Sequence, residues 1–349
     1  MKCDGAQQSA GSSRRVAAGS TCRLERRVLL RTLSTIALMG PFAGFAQQRR
    51  SPRRIGVLFM LLSPEGKEAR AFKQALQESG YVEGRDVVIE WHFAKADYAR
   101  LPGLAAELVQ HNVDVIIADT GPAAQAVRQA TSSIPIVMTI VADPFGSGLI
   151  ASLARPGGNV TGLSIMLAEL SAKRLQLLKD ALPRITRVAV LWHPATPYHT
   201  KALDDLKATA PSMAIELSFI DIRAPEQIDA GFRAAGRTRA QAIFVLDCPL
   251  FFTHRTTLVG LASKSSLPLI SGEQPYADAG GLLTYGPDYA DQMRRSAGYV
   301  DKIFKGAKPG DLPVEQPIKF DLVINLKTAK ALDIKISNSI LLRANRVIE

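Results

Sequence analysis

The chain has 349 residues, 47% hydrophobic and 21% charged. That is enough apolar material for about two domains, and it excludes a disordered or fibrous chain. The formal net charge of +11 would suggest a nucleic-acid or membrane partner if it were spread over the body. Instead, nine of those eleven charges fall in residues 1–54 and leave only +2 from Ile55 onward. Phosphate-backbone binding depends on clustered Lys and Arg, so no nucleic-acid partner is expected.

Residues 1–46 read as an export signal. Arginines up to Arg31 precede an uncharged stretch, Thr32 to Ala46, that ends in small residues before Gln47. Its 15 residues fall short of the roughly 20 that a membrane-spanning helix needs, so removal after Ala46 is expected. Glu25-Arg26-Arg27-Val28-Leu29-Leu30-Arg31 is similar to a twin-arginine motif, and either general or twin-arginine export fits. Residues 47–54 form a basic linker. Cys3 and Cys22 lie in the leader, which leaves Cys248 alone and no intramolecular disulfide. The mature chain is therefore expected in the periplasm, without a membrane span.

From Ile55 the sequence alternates β-branched runs with helical patterns. Strands are expected at 55–60, 87–91, 113–118 and 136–140, with helices at 64–79, 98–110 and 123–130 between them. Arg155-Pro156-Gly157-Gly158-Asn159 interrupts the series with turn chemistry. A second series follows, with helices at 169–181, 200–209, 225–235 and 256–263 and strands at 188–192, 215–220, 242–246 and 267–270. Two βα halves around a Gly/Pro break predict an α/β protein of two lobes, each with a parallel sheet covered by helices. The tail (helix 288–305, Pro-rich 306–317, strand 320–324, helix 326–332) is too short for a third domain. It must complete both lobes, so the chain crosses between them more than once. Lobe 1 is assigned residues 55–162 plus about 287–318, and lobe 2 residues 163–286 plus about 319–349.

There is no phosphate loop (Gly66-Lys67 lacks the preceding glycine spacing), no dinucleotide fingerprint and no nucleophile elbow. No cofactor, metal or catalytic residue is expected; His193 and His199 flank a loop but are read as capping or surface histidines. Polar residues cluster just after the strands: Ser63, Thr120-Gly121, Asp143, His193, Asp247 and Glu273. Ligands of open α/β sheets sit outside the carboxyl ends of the strands, so these residues are the candidate ligand site. Each is equally a candidate helix cap.

Arg155 to Gly162 (RPGGNVTG), Asp143-Pro144-Phe145-Gly146, Gly280 to Gly286 (GGLLTYG) and Ile324 to Leu332 (INLKTAKAL) resemble the ABC transporter substrate-binding family that includes tryptophan- and tyrosine-binding periplasmic receptors. The resemblance spans Arg53 to Glu349. It implies a type I periplasmic-binding fold, with two Rossmann-like lobes joined by a three-segment hinge, and a receptor that hands a small solute to an ABC permease driven by a separate ATPase subunit. For an amino-acid solute, Ser63, Thr120 and the helix opening at Pro122 would hold the carboxylate. Asp247 and Glu273, with Asp143 third, would take the ammonium. Tyr198, Phe252 and Tyr276 are aromatic candidates for packing on its side chain, with core or surface packing the competing reading. A two-lobed hydrolase or transferase using Asp247, Glu273 or His193, and a ligand-sensing domain for a membrane kinase, are the alternatives.

Overall fold

The computed structural model describes residues 51–61 and 63–349. The expected export signal, its arginine pair and its cleavage point after Ala46 lie outside the described residues. Residues Ser51–Glu349 form one compact unit. Its first half runs β1 (Arg53–Phe59), α1 (Lys67–Glu78), β2 (Val87–Phe93), α2 (Leu101–Gln110), β3 (Val115–Thr120), α3 (Gly121–Ala130), β4 (Ile136–Val141) and β5 (Val160–Ser164). These strands form a parallel sheet in the order β2-β1-β3-β4-β5.

The second half runs α4 (Leu167–Ala181), β6 (Arg187–Trp192), α5 (Pro197–Thr209), β7 (Glu216–Asp221), α6 (Ile228–Arg237), β8 (Ala242–Val245), α7 (Pro249–Thr253), α8 (Arg255–Lys264), β9 (Leu269–Ser271), α9 (Gln274–Asp278) and β10 (Leu283–Pro287). The tail adds α10 (Tyr289–Phe304), β11 (Phe320–Asn325), α11 (Leu326–Ala331), α12 (Asn338–Leu341) and β12 (Arg346–Ile348). The second sheet has the order β12-β11-β10-β9-β8-β6-β7 and is parallel except where β11 runs against β10. From β7 to β10 it repeats the strand order of the first sheet. Each sheet therefore reverses its winding direction between its first and third strands, which opens a crevice at the strand ends.

The sequence pattern explains the layers. All six residues of β3 and the last five of β1 are buried, as expected for strands covered on both faces. Ile55, Val57, Phe59 and Val115 pack toward α1 and α10, while Leu58, Ile116 and Met138 pack toward α2 and α3. Helix α1 buries Ala69, Phe72, Ala75 and Leu76, a single stripe at helical spacing.

Three stretches link the sheets. The chain leaves β5 for α4, returns from β10 into α10, which packs on α1, β4 and β5, and leaves again after Glu315 for β11. Glu315 bonds alongside β5, donating to the Gly162 carbonyl and accepting from Ser164 N–H.

Several elements depart from the sequence expectation. β5 follows directly on the turn expected at 155–159, in a stretch where the sequence predicts no element because Gly162 interrupts its β-branched run. That glycine has φ +126°, and a Cβ there would sit 2.1 Å from the Met138 carbonyl oxygen, so the close approach of β4 requires it. β10, α7, α9, α12 and β12 were also not anticipated; three to five residues are too few for a period to register. β1 starts at Arg53, inside the stretch read as linker, with Arg53 paired to Asp114 and Arg54 to Glu90.

Candidate functional site

The carboxyl ends of both sheets border a cavity of about 610 Å³, within the range of small-molecule sites, about 300–1,000 Å³. Thr120, Gly121, Asp143, Asp247 and Glu273 all line it, from both halves of the chain.

On the lobe 1 side, Thr120 ends β3 and is the N-cap of α3, yet makes no side-chain cap bond. Its Oγ1 is buried without a partner. The first-turn N–H groups of α3 have no intrahelical acceptor, so this corner presents donors to an anion. Asp119 beside it receives the N–H groups of Met60 (2.8 Å) and Leu61 (3.1 Å) and so ties the end of β1 to β3. Asp143 turns back on its own loop and accepts from Gly146 N–H at 2.7 Å.

On the lobe 2 side, Asp247 differs from expectation. Arg174, in the middle of α4, places Nη1 2.9 Å from Asp247 Oδ2, with both side chains fully buried. Asp247 Oδ1 accepts from Ser271 Oγ (2.6 Å) and Gly272 N–H (3.0 Å), and Arg174 Nε donates to the Tyr285 carbonyl (2.7 Å). Gly272 makes room for the guanidinium, since a Cβ there would lie 1.9 Å from Arg174 Nη2. Asp247 is thus already committed to a cation of the chain itself. Its carbonyl is held in turn by Tyr198 OH and by His199 Nε2 at 3.1 Å. Burial pushes the His199 imidazole down to about 4, and its Nδ1 faces the His193 N–H at 3.0 Å, which fits a neutral ring protonated on Nε2.

Glu273 is the acid that remains available. Its Oε1 accepts from Tyr289 OH at 3.2 Å, while Oε2 is buried with no partner. Burial, followed by the nearby Asp247 charge, raises its carboxyl well above the ordinary value; the Tyr289 hydrogen bond and Arg174 oppose this without cancelling it. Tyr289 opens α10 at one of the three links between the sheets, so this carboxyl touches the segment that a change in lobe angle would move.

Two expected residues lie elsewhere. Ser63 is exposed and accepts from Glu65 N–H at 3.3 Å; His193 accepts from Ala195 N–H at 3.2 Å. Neither lines the cavity, because each bonds the backbone two residues on in its own loop. Tyr198 and Phe252 line it, whereas Tyr276 is buried in the core with Ile243 and Phe251. Tyr98, Tyr289, Lys67 and Gln274 were missed. Lys67 Nζ reaches across the cavity mouth to Gln274 Oε1 at 3.3 Å, joining the two lobes. Arg174 left a legible signal: it falls on the buried stripe of α4 with Leu170, Ser171, Leu175 and Leu178, where an unpaired cation would be excluded.

Two Rossmann-like lobes with a cavity at their facing strand ends, and three links on which they can hinge, define a two-lobed solute-binding protein. The chain belongs to the ABC transporter substrate binding protein family, whose model matches residues 54–348. That family acts on small solutes together with a membrane permease. A tyrosine-binding protein of Clostridioides difficile is 27% identical over 287 residues, 82% of each chain. A conserved domain protein of Vibrio cholerae superposes with a TM-score of 0.80 at 27% identity, covering 85% of this chain and 100% of that one. An ABC domain of Streptococcus pneumoniae in complex with L-Trp gives 0.79 at 26% identity, with the same coverage. No helix among the described residues is long and apolar enough to cross a membrane.

Proposed function

We propose that this protein is an exported receptor that captures an amino acid with a large, aromatic side chain and delivers it to an ABC importer without transforming it. One observation carries the reading: an uncapped helix start with the unpartnered Thr120 Oγ1 and an unpartnered Glu273 Oε2 border the same cavity. A zwitterion brings one group for each. Its carboxylate meets the α3 N–H groups and the Thr120 hydroxyl, and its ammonium meets Glu273, whose carboxyl gives up its proton once the cation faces it, so neither charge is buried alone. Tyr98, Tyr198, Phe252 and Ile140 supply the apolar surface for the side chain. The relatives that bind tyrosine and tryptophan support the same class of solute. Asp143 and Asp247 shape the wall through their loops.

Closure traps the solute, with Lys67 and Gln274 meeting at the mouth. Residues 1–46 act as the cleaved export signal, and intact-mass analysis of periplasmic protein checks this by finding an N-terminus near Gln47. Calorimetry with L-tryptophan, L-tyrosine and L-phenylalanine, set against tryptamine (no carboxylate) and indole-3-propionate (no amine), tests the solute class. Binding of the amino acids with at least tenfold loss for both truncated analogues is expected. Equal affinity for an analogue lacking the amine would overturn the role of Glu273.

A further inference from the structure

Lobe 1 carries a second cluster of polar side chains, none of which lines the solute cavity. Glu90 and His92 are two apart on the edge strand β2 and project from one face. Glu107 and His111 are four apart at the end of α2, share one helix face, and α2 packs on β1 and β2. The strand period and the helix period thus bring three ligating side chains, Glu90, His92 and His111, to one place, with Glu107 beside His92. His111 Nδ1 lies against Glu90 Oε2, and His92 Nδ1 is 3.3 Å from Glu107 Oε2. One ligand atom from each of Glu90, His92 and His111 falls within 4.8 Å of the others. Arg54 occupies the other oxygen, Glu90 Oε1, and so turns Oε2 toward the imidazoles.

We propose that Glu90, His92 and His111 bind a divalent first-row transition metal, with Zn²⁺ as the reference ion and the exposed Glu107 beside His92 as the fourth donor. Two imidazoles with carboxylates suit zinc, nickel, cobalt or copper, whereas magnesium and calcium take oxygen donors alone. Bonds of about 2.0–2.1 Å in a tetrahedral site place donors about 3.3 Å apart, the separation that His92 and Glu107 already have. The side chains of Glu90 and His92 are 14% and 15% exposed and form the fixed half of the site. Those of His111 and Glu107 are 49% and 56% exposed; the donors of Glu90, His92 and His111, within 4.8 Å of one another, close on the ion by about 1.5 Å at most, and the exposed side chains have room to make that movement. Arg54 holds the Glu90 carboxylate as an outer partner, the usual way a ligating side chain is oriented. A metal here ties β2 to the end of α2 and stabilises lobe 1 independently of the solute.

Titration of the tag-free protein with ZnCl₂ by calorimetry, with Co²⁺ as an optical probe, tests the site. One Zn²⁺ per chain and visible bands of four-coordinate Co²⁺ are expected. His92→Ala and His111→Ala should each weaken Zn²⁺ about tenfold or more. His193→Ala/His254→Ala, which removes histidines elsewhere, should leave binding unchanged, and His111→Ala should leave L-tryptophan affinity unchanged. Because His111 is half exposed at a helix end, its variant tests the ligand role without disturbing the core. If the His92→Ala/His111→Ala double variant binds Zn²⁺ as tightly as the parent, or if binding disappears only in the His193/His254 variant, the proposal is overturned.

Discussion

Arg174→Met strips Asp247 of its buried partner while keeping most of the aliphatic bulk of the side chain. At 2.9 Å, the pair is worth roughly 5–6 kcal/mol of gross attraction at an effective dielectric constant near 20. Folding has already desolvated both ions, so removing one leaves the other buried and uncompensated, at a typical cost of about 3–5 kcal/mol. Ser271 Oγ and Gly272 N–H still serve Asp247 Oδ1, which places the expected loss toward the lower end, about 3 kcal/mol. The double variant Arg174→Met/Asp247→Asn removes the stranded charge and should recover at least about 1 kcal/mol of that loss. Urea denaturation followed by circular dichroism, with midpoints compared at a shared slope, gives the four corners of the cycle. A cost below about 1 kcal/mol for Arg174→Met, or a double-variant loss equal to the sum of the two single losses, would show that Asp247 does not depend on Arg174 for its charge compensation.

Glu273→Gln should weaken an amine-bearing solute by about 2–5 kcal/mol, against about 1 kcal/mol for Thr120→Ala, where backbone donors remain; calorimetry separates them. The same variant reads out the raised carboxyl. The folded state holds the proton that the unfolded chain releases near its ordinary value of 4.5. Solute-free stability therefore falls as pH rises from that value through the folded one, and Glu273→Gln should flatten this slope. His199 acts in the opposite direction. With its folded value lowered from 6.5 to about 4, stability is full above 6.5 and is lost as pH falls toward 4, by at most about 3 kcal/mol. His199→Gln should remove that loss in denaturation series across the window. Lys67→Ala deletes an exposed contact at the mouth and should speed solute release only a few-fold in stopped-flow dissociation, under about 1 kcal/mol; a hundredfold change would show that the Lys67–Gln274 contact dominates closure.

The βα alternation was legible because strand and helix periods are local: the apolar runs of β1, β3 and β6 and the stripe of α1 mark themselves without reference to the rest of the chain. The polar residues after the strands were legible for the same reason, and Thr120, Gly121, Asp143, Asp247 and Glu273 do reach the cavity. Which of them stays available was not. Asp247 and Glu273 look alike in sequence, two acids following two strands of one sheet. They separate only because α4 carries Arg174 across 73 positions of chain to one of them, while Tyr289, arriving from a link between the lobes, leaves the Glu273 Oε2 without a partner. Ser63 and His193 fail for a smaller reason: a short polar side chain after a strand can bond its own turn as readily as it faces a ligand. The Glu90, His92, Glu107 and His111 cluster was invisible because it needs two different periods on two elements packed in one register. Ion pairs, unpartnered atoms and ligand clusters are properties of contacts between distant segments, and the packing of the two sheets sets those contacts.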